Sequence, residues 1–166
     1  EGQRGVHVVD VGDPRAPERV AFHMTVSPRA LALAGPHLYV ADGVGGLKVF
    51  DVSDPDELEL VAAVPTLDAH DVEVRWPYAY VADGPGGLVV VDVSVPVKPR
   101  VVGGLDLEGG GRGAIDLDVL FQYSRPTVDR KGRPSDERTP ARRLVAGCDE
   151  EAGPILVDAT EPTHLE

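Results

Sequence analysis

The sequence has very little cysteine, few aromatic residues and too few basic side chains to balance its acidic ones. It contains one cysteine, Cys148, among 166 residues, so no disulfide can form within the chain and a cysteine-rich metal site is excluded. Aspartate and glutamate number 28 against 16 lysines and arginines. The net charge of -12 argues against nucleic acid and anionic membrane surfaces as partners. No apolar run approaches the roughly 20 residues that a membrane-spanning helix needs, so membrane insertion is not expected.

The sequence also lacks the patterns of helices and of common catalytic sites. No window keeps a helical period, and the 19 glycines and 15 prolines fall between short apolar runs, which is typical of short strands joined by turns. The histidines are scattered, and there is no Gly-x-Ser-x-Gly elbow, phosphate-binding glycine motif or Cys-x-x-Cys-His haem motif. We therefore expect an all-β domain that is not an enzyme.

A repeat with a period of 41 residues dominates what is present. Residues 38–55, LYVADGVGGLKVFDVSDP, return as residues 79–96, AYVADGPGGLVVVDVSVP. A unit of this length, with two short apolar runs around a Gly-rich turn, indicates blades or stacked repeats. Residues 88–93 are apolar on both faces of the predicted strand, which must therefore be covered on both sides. This pattern favours sheets stacked face to face around an axis, as in a β-propeller.

The predicted architecture is a single repeat domain of four-stranded antiparallel blades, with about three blades present. The expected boundaries are a partial blade at 1–26, complete blades at 27–67 and 68–108, and an expanded blade at 109–166 with an inserted arm at 121–143. Thirteen repeat strands are too few for the closed rings of four to eight blades, so we predict an incomplete ring. The chain opens at Glu1 without a methionine or signal sequence, and we expect a processed product or a piece of a longer protein.

Aspartates recur at two places in the unit. One set ends the third strand of each unit and the other opens the Gly-rich loops; they are Asp10, Asp51, Asp92 and Asp158, and Asp42, Asp83 and Asp149. A residue that recurs this regularly is not one active site, so we predict that each carboxylate accepts backbone N–H bonds from the following turn. The loops lack the alternating carboxylates that a calcium loop requires.

Four other carboxylates form a candidate metal site. Asp71, Glu73, Asp116 and Asp118 alternate along the first strands of two successive units, and first strands lie nearest the axis of a propeller. Converging carboxylates could hold a hard cation such as Ca²⁺ in the channel. The alternative is a wet channel that simply tolerates charge, and alanines at the equivalent positions of the preceding unit show that the pattern is not general. No other cofactor is expected.

The inserted arm is the one basic segment of the chain. Residues 125–143 hold seven basic and three acidic side chains, a net charge of +4 against -16 for the rest. The basic residues are Arg125, Arg130, Lys131, Arg133, Arg138, Arg142 and Arg143. Phe121 and Tyr123 could anchor the base of the arm. Such an arm could fold against the acidic body or reach an acidic neighbouring subunit in an oligomer, or it could be a solvated loop.

The repeating unit resembles the LVIVD repeat, which is named for its third strand. That strand reads LKVFD at 47–51, LVVVD at 88–92 and ILVD at 155–158, and the resemblance covers nearly the whole chain outside the arm. The resemblance implies a β-propeller in bacterial or archaeal proteins that are secreted or lie on the cell surface. It implies no catalytic residues.

Three functional hypotheses follow from the sequence. The first is a non-catalytic scaffold for contacts with a protein partner or with further blades of the same protein. The second is a module that binds a cation, a glycan or a small ligand at the channel or rim. The third is a section of a larger extracellular enzyme or redox assembly.

Overall fold

All regular structure in the described part of the chain is β. The computed structural model describes residues 4–54, 56–106, 114–123, 126–128, 134–138, 142–149 and 153–158. The strands in order are β1 Gly5–Asp10, β2 Glu18–Met24, β3 Ala30–Ala34, β4 His37–Ala41, β5 Leu47–Asp51, β6 Glu59–Val64, β7 Asp71–Arg75, β8 Tyr78–Ala82, β9 Leu88–Asp92, β10 Arg100–Leu105, β11 Ala114–Tyr123, β12 Pro126–Val128, β13 Pro134–Arg138, β14 Arg142–Asp149 and β15 Gly153–Asp158. A search of these residues finds no helix with the length and apolar character to cross a membrane.

The strands form antiparallel sheets that follow the repeat. Two sheets have four strands, β3-β4-β5-β6 and β7-β8-β9-β10, and are called the first and second blades here. Before them stands a two-stranded N-terminal sheet, β1-β2, and after them a third sheet, β11-β14-β15. β1 and β2 occupy the places of the third and fourth strands of a blade, and β11, β14 and β15 occupy those of the first three.

The same irregularity recurs in each pairing of a third and a fourth strand. The register shifts by one residue at Val20 opposite β1, at Val61 opposite β5 and at Val102 opposite β9. These bulged residues are spaced by the 41-residue period. Because a bulge bends and twists its strand, the outer edges of the blades share one local geometry.

The core consists of apolar layers between successive sheets. Val6 of the N-terminal sheet packs on Leu38, Val40 and Phe50 of the first blade. The opposite face of that blade packs on the second blade, and the far face of the second blade packs on Leu117 and Val157 of the third sheet. β7 lies against both β3 and β4, and β11 lies against β7 and β8. Each central strand is therefore covered on both faces, as its apolar composition predicts.

The prediction of an all-β, propeller-type fold is confirmed, and the described sheets form an open stack instead of a closed ring. The expanded third unit has an additional hairpin, β12-β13. β11 continues past its repeat positions to Tyr123, which pairs with Arg142 at the start of β14. The predicted base of the arm is therefore strand backbone. The side chains of the arm and the loops at 124–125, 129–133 and 139–141 lie outside the described residues.

Candidate functional site

The aspartates that end the third strands are bound to the turns that follow them. The Oδ1 atoms of Asp10, Asp51 and Asp92 each accept the backbone N–H of the residue two positions later, at 2.7–2.8 Å. The hydroxyl of Ser53 also donates to Asp51. These carboxylates lie at solvent-exposed corners, and each one fixes the chain where the strand ends. The side chain of Asp158 lies outside the described residues.

The two loop aspartates differ from the prediction, because their partners do not lie in the following turn. Asp42 is fully buried and accepts the N–H groups of Val26 at 3.1 Å and Ser27 at 2.7 Å, on the segment that leads into β3. Asp83 is 2% exposed and accepts those of Leu67 and Asp68, both at 2.9 Å. Each carboxylate therefore joins its loop to the entry of its own blade, 15 and 16 residues upstream. The side chain of Asp149 is not among the described ones.

The glycines of the loop make room for this carboxylate. In the first blade, a Cβ on Gly45 would overlap the carboxylate of Asp42, and in the second a Cβ on Gly86 would overlap that of Asp83. The loop is closed by the N–H of Asp42, which donates to the carbonyl of Gly46 at 2.9 Å. The Asp-Gly-x-Gly-Gly sequence therefore forms a compact corner. Its aspartate side chain is directed inward, and both carboxylate oxygens accept backbone hydrogen bonds.

Comparison with protein families identifies this unit. The family model of the LVIVD repeat matches residues 28–66 and again residues 68–106. Each match contains one buried loop aspartate, one Asp-Gly-x-Gly-Gly corner and one four-stranded sheet. These two blades belong to the LVIVD-repeat family. A search of curated proteins found no match to the chain.

The LVIVD blades are joined to each other through the same corner. Gly43 and Ala69 exchange two backbone hydrogen bonds of 2.9 Å, which tie the loop of the first blade to the chain entering β7. Beside them, Arg29 Nη2 lies 2.8 Å from Asp68 Oδ1, and His70 Nε2 lies 3.0 Å from Asp68 Oδ2. Sequence reasoning missed this ion-pair group. The repeat gave no signal for it, because the positions of Asp68 and His70 are held by Ser27 and Arg29 in the first blade.

On the inner strands, the structure brings two of the four candidate metal ligands together. The N–H of Leu117 on β11 lies 2.8 Å from Asp71 Oδ2 on β7 and 3.0 Å from Asp116 Oδ1. Asp71 also accepts the N–H of Val72 at 2.8 Å. Two carboxylates from adjacent sheets therefore meet at one backbone donor.

The other two candidate ligands do not join this pair. Glu73 is ion-paired with Arg75 two residues along the same strand, and Asp118 is exposed on β11. Within the described residues, no group of three or more histidine, cysteine, aspartate or glutamate side chains could hold a metal ion. The four-carboxylate Ca²⁺ site stays a prediction, and calorimetry with Ca²⁺ on the chain and on an Asp71→Ala variant would test it.

We expect the Asp71→Asn variant to gain stability relative to the native chain as pH rises above about 3.9, the ordinary aspartate value. Burial, with a further contribution from Asp116, raises the pKa of Asp71. A raised pKa means that ionisation disfavours the folded state, so Asp71 costs stability as pH increases through the interval up to its folded pKa. Asparagine removes that cost and can still accept the Leu117 hydrogen bond. Urea unfolding at a series of pH values measures the difference.

Asp92→Asn is the matched control, and its effect should have the opposite sign. Hydrogen bonds from Ser94 lower the pKa of Asp92, so this carboxylate stabilises the fold above the ordinary aspartate pKa and loses that effect as pH falls. The Asp92→Asn variant should therefore lose stability relative to the native chain at higher pH. Parallel pH dependence in the two variants would contradict the assignment for Asp71.

The predicted interaction residues of the arm fall outside the described side chains. Phe121 and Tyr123 belong to β11, Arg138 to β13, and Arg142 and Arg143 to β14 by their backbone. Arg125, Arg130, Lys131 and Arg133 lie in the segments that the structure does not describe. Docking of the arm on the acidic body stays a prediction.

Proposed function

We propose that this chain is a non-catalytic LVIVD propeller section that holds a protein partner, within a secreted or cell-surface protein of a bacterium or archaeon. The location outside the cell comes from what the LVIVD resemblance implies. The protein-binding role is argued from the surface of the two described blades. The partner is a separate protein or a further blade of the same protein.

The observation that carries this proposal is the exposure of Trp76. This side chain is 71% exposed at the turn between β7 and β8. Tryptophan is the residue type most enriched among those that dominate protein–protein binding energy, because it presents a large rigid surface with a polar edge. An exposed tryptophan at the tip of a short hairpin is therefore well placed to be covered by a partner.

The first blade shows that the fold itself does not need a large side chain at this turn. The equivalent position is Gly35, and a Cβ there would meet no atom within 4 Å. Trp76 is thus specific to the second blade, since the equivalent turn of the first blade has a glycine with no side chain. A feature that folding does not require is a good candidate for function.

The use of the recurrent carboxylates supports a non-catalytic role. Both oxygens of Asp42 and both oxygens of Asp83 accept backbone N–H groups inside the corners. Their arrangement is that of structural hydrogen-bond acceptors, because each carboxylate joins its loop to the entry of its own blade. The repeat therefore builds a rigid frame, and its variable side chains are the ones available for recognition.

We expect Trp76→Ala to weaken binding of the partner about 30-fold or more, since truncation of a dominant interface residue costs about 2 kcal/mol or more. The chain would be immobilised and used to enrich proteins from the secreted and surface fraction of the organism that encodes it. An enriched protein would then be purified and titrated into the native chain and the variant by calorimetry.

Val97→Ala is the matched control, because Val97 is also an exposed apolar residue, 53% accessible, on a different turn. Its variant should bind the purified partner like the native chain. Equal affinity of the native chain and the Trp76→Ala variant for the partner would show that Trp76 does not contribute to binding. That result would contradict the proposal.

A further inference from the structure

A cavity of about 270 Å³ lies between the N-terminal sheet and the first blade. Its walls include His23 and Met24 of β2, Lys48 and Phe50 of β5, and Leu60 of β6. These are outer strands, the third and fourth of a blade, so the cavity does not depend on an inner strand of the N-terminal sheet. Its volume is just below the range of about 300–1,000 Å³ that is typical of ligand pockets, which suits a small molecule.

The cavity has an aromatic wall with a lysine on the same face of β5. Phe50 packs in one apolar cluster with Val6 of the N-terminal sheet. Lys48 pairs directly with Val40, a member of that cluster, and directly opposed residues of an antiparallel pair share a face. From the opposite side the ring of His23 meets that of Phe50 edge to face, with 4.9 Å between the ring centroids. Lys48 and Phe50 therefore both face the N-terminal sheet across the cavity.

The equivalent layer between the two blades is built from aliphatic side chains. The histidine, the lysine and the phenylalanine of the cavity have three valines as their equivalents 41 residues later, Val64, Val89 and Val91. All three valines lie in or against the packed core of that layer. The fold can thus form this layer without any polar side chain, and the basic groups of the cavity are specific to the first blade and the sheet before it.

Lys48 is not required to balance the buried aspartate of the corner. Asp42 also borders the cavity, but its carboxylate already accepts the N–H groups of Val26 and Ser27. Asp83 makes the same two bonds in the second blade, where a valine holds the place of Lys48. Among the described residues, no carboxylate oxygen lies within 4.0 Å of the Lys48 ammonium. The positive charge of Lys48 is therefore available to a ligand.

The remaining polar groups of the cavity add hydrogen-bond donors. His23 has a ring N–H, and Thr25 has a buried hydroxyl without a hydrogen-bond partner among the described residues. The same is true of Thr66 at the equivalent position, so this hydroxyl belongs to the repeat, whereas His23 and Lys48 do not. A carboxylate is the matching ligand group, because it is negatively charged and only accepts hydrogen bonds.

The geometry points to a binding site for a small organic acid in this cavity. The carboxylate of the acid binds the Lys48 ammonium, and its apolar body packs on Phe50 and Leu60. The charge of Asp42 at the border repels a second anionic group, so the ligand has one negative charge. This site lies on other elements than Trp76 and goes beyond the protein-binding role proposed above.

Phenylacetate is a suitable probe, since it combines one carboxylate with an aromatic body. It would be titrated into the 166-residue chain and followed by two-dimensional ¹⁵N–¹H NMR. We expect saturable shifts of the amide signals of residues 23–26, 48–50 and 60. The Lys48→Met variant should bind phenylacetate about tenfold or more weakly, because it removes the charge and keeps the length of the side chain. Lys48→Arg keeps the charge and should retain most of the affinity.

Lys98→Met is the matched control, because Lys98 is an exposed lysine on a turn of the second blade, and this variant should bind like the native chain. Phenylacetamide and phenethylamine have the same ring without the negative charge, and the native chain should bind both about tenfold or more weakly than phenylacetate. This comparison needs no variant, so it decides the question even if Lys48→Met does not fold. Absence of saturable shifts, equal binding of the amide, or full affinity in a folded Lys48→Met variant would overturn the inference.

Discussion

Replacing Asp83 by alanine is expected to lower the free energy of unfolding by about 3–5 kcal/mol. The carboxylate is 2% exposed and accepts the N–H groups of Leu67 and Asp68. Alanine removes the buried acceptor from both part-buried donors, and each unsatisfied donor costs about 1–3 kcal/mol, with bonds to a charged acceptor at the upper end. The Asp68 backbone also leads into the ion-pair group with Arg29, so the loss would reach the contact between the blades. Urea unfolding monitored by circular dichroism measures the change.

Asp92→Ala is the comparison that isolates burial. Asp92 also accepts a backbone N–H, from Ser94 at 2.8 Å, but at an exposed turn where water can replace the carboxylate. Its loss should cost about 1 kcal/mol or less. Asp83→Asn, which keeps one acceptor oxygen, should fall between the two alanine variants. Similar losses for Asp83→Ala and Asp92→Ala would show that the buried loop aspartate does not hold the entry of its blade.

Gly46→Ala is the second substitution with a large expected effect, a loss of about 3 kcal/mol. Gly46 has a φ of 74°, in the left-handed region, where an L-residue costs about 1–2 kcal/mol. In addition, the new methyl group would overlap the backbone carbonyl of Val64 and lie 3.0 Å from the backbone N of Thr66. Since these are backbone atoms, the corner and the end of β6 must move apart to accommodate it. Chemical denaturation of the variant measures the sum of the two effects.

Gly35→Ala separates the backbone conformation from the contact. Gly35 has a φ of 59°, and a Cβ built on it meets nothing within 4 Å. That variant should lose only the conformational part, about 1–2 kcal/mol. Equal destabilisation by Gly46→Ala and Gly35→Ala would mean that the corner shifts without cost. The contact with Val64 would then contribute nothing to the loss of stability.

Much of the fold can be predicted from the sequence because its determinants are local and repeated. The alternation of apolar and polar residues, the Gly-rich corners and the 41-residue period predict a four-stranded antiparallel unit, and two such sheets are observed. The apolar character of both faces of residues 88–93 predicts a layered stack, and Val90 and Val91 are indeed buried on opposite faces of β9. The end-of-strand aspartates bind two residues ahead, a distance that a sequence motif fully contains.

Local sequence patterns could not predict the hydrogen bonds of the loop aspartates. Asp42 and Asp83 look like turn-capping residues in the sequence, but their carboxylates are directed to segments 15 and 16 residues upstream. Those backbone N–H groups come close to the carboxylates only when the four strands have paired and the segment that enters the blade lies against the corner. The meeting of Asp71 with Asp116 likewise depends on how two sheets stack.

The sequence by itself therefore determined the repeat, its four-strand unit and the positions of the corners, since hydrogen bonding in turns and the alternation of side chains act over a few residues. Only the tertiary structure decided which repeated positions are covered. Leu31, Leu33, Val72 and Val74 are equivalent in the sequence, but the valines have an inner hairpin packed against them and the leucines have none among the described residues. Burial depends on the neighbouring sheet and not on the residue itself, so a repeat in the sequence cannot distinguish a buried position from an exposed one.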